Sequence, residues 1–427
     1  MRLSKGQFYF AMTMLGCLFF IFGFVTWLNG TLIPFFKLAC QISTFQALWV
    51  TFAFYISYFI MAFPSALVLK KTGYKNGISL GLAIMALGSI IFIPAAYERM
   101  YLLFLTGLFV QGTGLALLQT AVNPYVTILG PEHSAAKRIS VMGICNKIAG
   151  ILSPIILGSI ILKNIDQIIK QLENVTNDKN VILDQLSERL IFPYITMAII
   201  LTLLAFATKF IKLPDIKAAE SPFKTKKSIF HFPYLILGVI AMFLYVGAEV
   251  IAGDTIILYG QSLGIPLSKA KFFTSLTLSS MILGYILGIM VIPRIISQSR
   301  ALAYSAISGI AFAIAAILTQ GLVSITFIAL LGFSNAIMWP AIWPLSIKHL
   351  GSYTEKGAAF LIMAILGGAI LPPLYGWLSQ LPNLNNKQAY IILLPMYAYI
   401  LFFAVKGHKI TSWKKNQCCP VTSNIVD

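Results

Sequence analysis

The sequence predicts an all-α membrane protein with twelve transmembrane helices in two six-helix halves, and three observations carry that expectation. Of 427 residues, 58% are hydrophobic and only 10% charged, against roughly 25% charged in soluble proteins; mean hydropathy is +0.86. Apolar windows of about the 20 residues needed to cross hydrocarbon recur from Phe8 to Lys406. A basic, proline-bearing stretch, Pro214–His231, then splits the windows six and six.

The first half, residues 1–213, is read as Phe8–Phe36, Phe45–Leu69, Gly77–Ala96, Tyr101–Leu129, Ile139–Leu162 and Leu190–Ile211. Arg2 and Lys5 before the first window mimic a signal peptide. The apolar run continues through Leu28 with no small-x-small cleavage site, so it is read as a span. A cytoplasmic linker, 214–231, leads to the second half, 232–406: Phe232–Tyr259, Phe272–Pro293, Ala301–Gln320, Leu322–Ile347, Gly357–Ser379 and Ala389–Val405. A cytoplasmic tail, 407–427, follows. Prolines and glycines inside the windows are compatible with spanning helices, because neighbours re-satisfy the freed backbone groups.

Charges mark the gaps between windows. With both termini in the cytoplasm, Lys70, Lys71, Lys75, Lys137, Arg138, Arg294, Arg300, Lys348 and Lys356 join the linker and tail lysines on that side. Fewer basic residues, among them Lys37, Arg99, Lys269, Lys271 and Lys387, lie outside. This is the positive-inside bias. It accounts for the net charge of +18 with no nucleic acid as partner. Outside the membrane, Lys163–Arg189 is polar, yet Ile165, Ile168, Ile169 and Leu172 recur at helical spacing; part of it is expected to lie on the membrane surface.

Six plus six windows fit a transporter plan in which two halves are related by an axis along the membrane normal. The fourth window ends in Asn123-Pro124-Tyr125 and the tenth in Trp343-Pro344-Leu345, while Gly23 and Gly30 in the first are spaced like Gly247 and Asp254 in the seventh. The first, fourth, seventh and tenth windows are therefore expected to be interrupted helices around a central site.

Three ionisable residues fall inside windows: Lys147, Glu249 and Asp254. A charge at mid-bilayer costs at least ~2.5–3.5 kcal/mol, so such groups pair or face water. Glu249 and Asp254 are five residues apart, about 140° on a regular helix, and do not share a face unless Gly253 breaks it. One reading makes them protonatable or sugar-binding carboxylates; the other is a buried ion pair with Lys147 that fixes how the halves meet. Gln119 and Asn123 share a face of the fourth helix, and Asn335, Trp339 and Trp343 form a stripe on the tenth. Amides offer paired donors and acceptors and aromatic faces suit a pyranose ring, so these residues, with Trp27 and Asn29 of the first window, are candidate substrate contacts. Helix–helix hydrogen bonding and interface anchoring are the alternatives.

Other signals point nowhere catalytic. Gly77-Ile78-Ser79-Leu80-Gly81 matches a hydrolase elbow but opens a span, without the strand–turn–helix setting. Gly284 and Gly288 read as a packing face. The five cysteines show no metal or disulfide spacing, and the sequence has no phosphate-binding loop or zinc pattern. Neither enzyme activity, ATP-driven transport, a metal nor a cofactor is expected. Asn174-Val175-Thr176 is a glycosylation sequon, with meaning only in a secretory pathway. Cys418-Cys419 beside a basic tail reads as part of an unmodified tail, with acylation in a eukaryotic host as the alternative.

Leu28-Asn29-Gly30-Thr31-Leu32-Ile33-Pro34, the run Gln119–Pro131 and Tyr245-Val246-Gly247-Ala248-Glu249 resemble the fucose:proton symporter family of the major facilitator superfamily. Met142-Gly143-Ile144-Cys145-Asn146-Lys147 is similar to its glucose/galactose and N-acetylglucosamine permease branch, and brings Asn146 into the candidate substrate set. The resemblance spans all twelve windows. It implies monosaccharide uptake across a bacterial inner membrane by alternating access, by a monomer coupled to a proton. Two departures stand out: fucose permease carries Asp where Gly30 stands and Glu where Gln119 stands. Either coupling has moved to Glu249 and Asp254, or the ion is sodium, or the protein is a uniporter. A transporter of another solute, such as a drug or organic anion, and a non-transporting sensor built on a transporter scaffold are the rival readings. The loop Lys70–Lys75 takes the place of the superfamily's cytoplasmic signature without its usual Asp.

Overall fold

The computed structural model describes residues 5–128, 135–174, 178–210 and 229–413, apart from 293, 349 and 383. Most of the linker, the Leu129–Pro131 motif, Val175 and Thr176 of the sequon, and Cys418 and Cys419 lie outside the described residues. The described part is helical throughout. In the first half these are α1 (Lys5–Trp27), α2 (Asn29–Ala39), α3 (Thr44–Ala47), α4 (Trp49–Tyr97), α5 (Tyr101–Ile128), α6 (Ala135–Ile161), α7 (Ile165–Asn174), α8 (Lys179–Glu188) and α9 (Ile191–Phe210). The second half has α10 (Pro233–Asp254), α11 (Ile256–Ser262), α12 (Leu267–Ala270), α13 (Phe273–Val291), α14 (Gln298–Leu318) and α15 (Gly321–Asn335). It continues with α16 (Met338–Ile347), α17 (Thr354–Met363), α18 (Gly367–Leu378) and α19 (Leu393–Val405).

Among the described residues, 11 helices are long and apolar enough to cross a bilayer. Twelve crossings result because α4 contains two. Its 49 residues would reach about 70 Å if straight, more than twice the hydrocarbon thickness. Gly73 turns the chain back with φ 75° and ψ 165°, a conformation that glycine adopts at no steric cost. Lys70, Lys71 and Lys75 flank that turn, so the charged loop is there as expected, and α4 is two helices joined at Gly73.

Within the first half α4 packs on α5 and α9, and α1 on α6; within the second, α13 packs on α15, α14 on α15 and α19, and α10 on α16 and α18. The halves meet along α6 with α13, α4 with α18, and α2 with α10. Glycines set the closest approaches. A Cβ at Gly81 or Gly114 would press on the other helix, and one at Gly112 would overlap the Phe54 carbonyl. The Gly77–Gly81 segment is thus a packing face, with Ser79 Oγ donating to Ala205 O at 2.7 Å. Gly284 packs similarly on Phe333 and Ala336. Large apolar side chains such as Phe59, Leu87, Leu102, Phe192, Leu203 and Phe206 stay exposed on the periphery, as a lipid-facing surface requires.

Lys163–Arg189 departs from expectation. It forms α7 and α8, but Ile165 and Ile168 are buried in protein, and Arg99 reaches Asn180 Oδ1 at 3.0 Å and Asp184 Oδ1 at 3.2 Å. The two helices cap helix ends, chiefly of their own half, and α7 also meets α12 of the other. The apolar face of the stretch finds helix ends closer than lipid.

Candidate functional site

Three spans are each divided into two helices, the first at Leu28, the seventh at Thr255 and the tenth at Ala336–Ile337, with the backbone at each division still in the right-handed helical region. Thr255 Oγ1 bonds the Ile251 carbonyl at 2.7 Å, a back-bond that bends helices. The fourth, expected to be interrupted as well, runs unbroken through Ile128 as α5. Pro124 lies late in that helix, and the helix absorbs it.

Lys147, on α6, meets Glu249, on α10, with Nζ to Oε1 at 2.6 Å. The ammonium also lies 4.3 Å from the Trp27 ring centre. Trp27 Nε1 donates to Asn146 Oδ1 at 3.3 Å, and Asn146 Nδ2 donates to Phe19 O at 3.4 Å, so the residue beside Lys147 is tied to α1. The pair bridges the two halves and is nearly sealed, with side-chain exposures of 8% and 12%. Tyr245 lies one turn before Glu249, with its phenol near that carboxylate. Tyr55, Tyr285 and Tyr397 lie within electrostatic reach of the same group.

Asp254 takes a different place. The helix stays regular through Gly253, so the two acids do not share a face. Asp254 is fully buried, and neither carboxylate oxygen has a hydrogen-bond partner among the described residues. Its neighbour across the seam is Gly30: an ideal Cβ there would stand 3.1 Å from Asp254 Oδ1 and 2.9 Å from Thr274 Oγ1. Thr274 donates to the Gly253 carbonyl at 2.7 Å. Asn29 is fully buried beside Gly30, and both its amide atoms lack partners. Buried polar groups are nearly always satisfied, and Asn29 and Asp254 are the two side chains among the described residues with both polar atoms buried and unpartnered.

The remaining candidates divide. Gln119 Nε2 donates to Tyr58 OH at 3.3 Å, and Gln119 and Asn123 are half-buried on α5. Trp339 and Trp343 on α16 stack with ring centres 5.6 Å apart and 22° between planes, and Trp339 meets Tyr245 at 6.4 Å. Asn335 is fully buried, unlike the half-buried tryptophans, and its Oδ1 accepts from Tyr397 OH at 2.9 Å. It supports Tyr397 and, through it, the surroundings of Glu249. The tyrosines were not foreseen: a tyrosine in an apolar window also reads as an interface anchor. The available signal was the position of Tyr55 and Tyr58, away from both ends of the second window.

The end of the bundle remote from the termini is closed. Ser268 N donates to Asp166 Oδ1 at 3.3 Å, Lys271 Nζ to Gly158 O at 3.3 Å, and Ser275 Oγ to Ile151 O at 2.9 Å. Each contact crosses from one half to the other. At the opposite end Gln119, Asn123, Trp339 and Trp343 remain only half-buried.

Residues 15–372 match the Major Facilitator Superfamily. The chain belongs to that superfamily. It is 34% identical over 411 residues to the glucose/galactose transporter of Brucella abortus biovar 1 (strain 9-941), covering 95% of this chain and 96% of that protein. It is 32% identical over 407 residues to the L-fucose-proton symporter of Escherichia coli (strain K12), covering 91% and 90%. A crystal structure of a superfamily transporter in the outward conformation matches with a TM-score of 0.72 and 30% identity, over 93% of this chain and 98% of that one. As a member of this superfamily the chain is a multi-pass membrane protein with two six-helix halves.

Proposed function

We propose that this protein is a proton-coupled importer of a neutral monosaccharide, of glucose/galactose or N-acetylglucosamine type, working by alternating access. The observation that carries the reading is a charge-neutral pair, Lys147–Glu249, bridging the halves beside a sealed, partnerless carboxyl, Asp254. The names of its relatives, glucose/galactose transporter and L-fucose-proton symporter, support the same solute class. Residues 1–213 and 232–406 are the moving halves, joined by the linker 214–231, with the tail 407–427 and both termini cytoplasmic in a bacterial inner membrane. The protein acts as a monomer. The closed end is then the outer one.

Gln119, Asn123, Asn146 and Asn29 supply amide contacts to sugar hydroxyls, Trp27, Trp339 and Trp343 the flat walls, and Asn335 braces Tyr397. Asp254 carries the proton. Sealing an ionised carboxylate without a donor or counter-ion costs several kcal/mol, whereas the neutral acid can be enclosed. Closure of the outer end over Asp254 therefore selects the proton-loaded protein. Lys147, neighbour of both acids, favours the charged form of whichever carboxyl it approaches, which gives the proton a route off once the halves shift.

The test is uptake of labelled glucose and galactose into proteoliposomes. A proton gradient should drive accumulation of one of them. Asp254→Asn should keep counterflow and lose accumulation; full accumulation in that variant removes Asp254 from the coupling role.

A further inference from the structure

We propose that the groove between α9 and the part of α4 beyond Gly73 binds one anionic phospholipid, with an acyl chain along the groove and the phosphate between Lys75 and Lys209. Both walls belong to the first half and pack on one another. The groove encloses about 290 Å³, and residue size shapes it. Its floor is small and buried, at Ser79, Ala86 and Ala205, while its rims, Leu87, Ile90 and Phe206, are large and exposed. The hydroxyls along it are turned away: Ser79 Oγ donates to Ala205 O at 2.7 Å and Thr202 Oγ1 to Ala198 O at 2.7 Å. The lining therefore offers hydrocarbon surface and no free hydroxyl donor. From Ser79 to Ile90 the α4 wall rises about 16 Å, close to one leaflet of a hydrocarbon core about 30 Å thick.

Charge appears only at one end. The bond from Ser79 to Ala205 sets the two helices level, and one turn beyond it, toward the end that bears the termini, each helix carries a lysine. Lys75 shares the Ser79 face of α4, and Lys209 follows Ala205 on α9. Lys209 lines the groove, with its ammonium 5.7 Å from the Phe206 ring centre. No acidic residue lines the groove, and among the described residues neither lysine enters an ion pair. An apolar channel one leaflet deep with a cationic mouth matches an amphiphile built in the same order, chain then phosphate. Basic clefts between spanning helices hold anionic headgroups in this way. A second copy of this chain is a poor occupant, because it would bring its own lysine-rich margin to the same level.

The test is native mass spectrometry of the full chain released from detergent micelles, titrated with phosphatidylglycerol or with phosphatidylcholine of the same acyl chains. Wild type should retain one phosphatidylglycerol at least fivefold more tightly than phosphatidylcholine. Lys75→Ala and Lys209→Ala should each weaken phosphatidylglycerol about fivefold, the worth of one lysine near an anionic surface, and leave phosphatidylcholine unchanged. Ala83→Trp, on the exposed α4 wall, fills the groove and should weaken both lipids; Ala83→Leu does so more gently if the tryptophan protein does not fold. Equal affinity of wild type for the two lipids overturns the proposal. So does an equal loss in Lys406→Ala/Lys409→Ala, which removes exposed lysines from the other half and reports diffuse attraction. Unchanged binding in both Ala83 variants rules out the groove. Displacement of phosphatidylglycerol by an equal concentration of glycerol 3-phosphate would make this a phosphate site without a lipid, and would also overturn it.

Discussion

Removing the charge of Glu249 tests the seam between the halves. Breaking a buried ion pair by deleting one partner costs about 3–5 kcal/mol, because the other charge is left uncompensated. Two features put Glu249→Gln at or just below the low end. Water is not wholly excluded, with 8% and 12% of the two side chains exposed. The Trp27 ring, 4.3 Å from the ammonium, continues to attract it, an effect of about 0.5–2 kcal/mol. We expect a loss of roughly 2–3 kcal/mol, from the difference between these two magnitudes. Denaturation in mixed micelles, followed by tryptophan fluorescence, would measure it in a double-mutant cycle with Lys147→Met. The double variant should be more stable than the sum of the singles by about 1.5 kcal/mol or more, as groups in direct contact require. Transport offers a second readout. With Glu249 neutral, Lys147 has only Asp254 to pair with, so proton-driven uptake should fall more than sugar binding does. Strictly additive losses, or a Glu249→Gln protein as stable as wild type, would refute the reasoning.

Three further outcomes are expected. Lys271→Ala removes a bond across the outer end and should raise the outward-open population roughly fivefold, about 1 kcal/mol, read as a longer distance between spin labels at Glu98 and Gln320. Gln119→Ala should raise the KM for sugar about tenfold with a smaller change in kcat, since it removes a ground-state contact; uptake kinetics would show it. Gly23→Ala drives a Cβ into the Asn146 carbonyl and should cost about 1–3 kcal/mol by overpacking, visible as a lower midpoint of thermal unfolding, whereas exposed Gly6→Ala, with open space around it, should not.

Much of this architecture could be read from residue order, because a bilayer permits few solutions. The windows map onto the spans, and the three misplaced charges are where the halves meet. What was not legible depended on contacts between distant segments. Lys147 had two candidate acids, and only the regular course of α10 through Gly253 decides for Glu249. Helical spacing puts Asn335 on the tryptophan stripe, but it does not announce that Tyr397 of α19 binds its side chain. Pro124 suggested a break that α5 does not make in its described length. The phenols around Glu249 come from α4, α10, α13 and α19, and no local pattern announces such a convergence.

Inside each half the glycines let main chain touch main chain: Gly81 against Gly114, Gly112 against Phe54, Gly332 against Thr277, Gly367 against Phe243. Between the halves the comparable contacts are made by side chains: Gly143 faces the Tyr285 ring, Gly368 the Tyr55 ring and Gly253 the Trp27 indole. Interlocked backbones cannot slide without rebuilding the ladder, whereas rings can rotate and re-nest at small expense. Ring contacts occur inside a half as well, at Gly309 on Tyr397 and Gly260 on Phe273. It is therefore the carbonyl-opposed glycines that fix a helix pair, while the α6–α13 and α4–α18 seams carry ring-opposed ones.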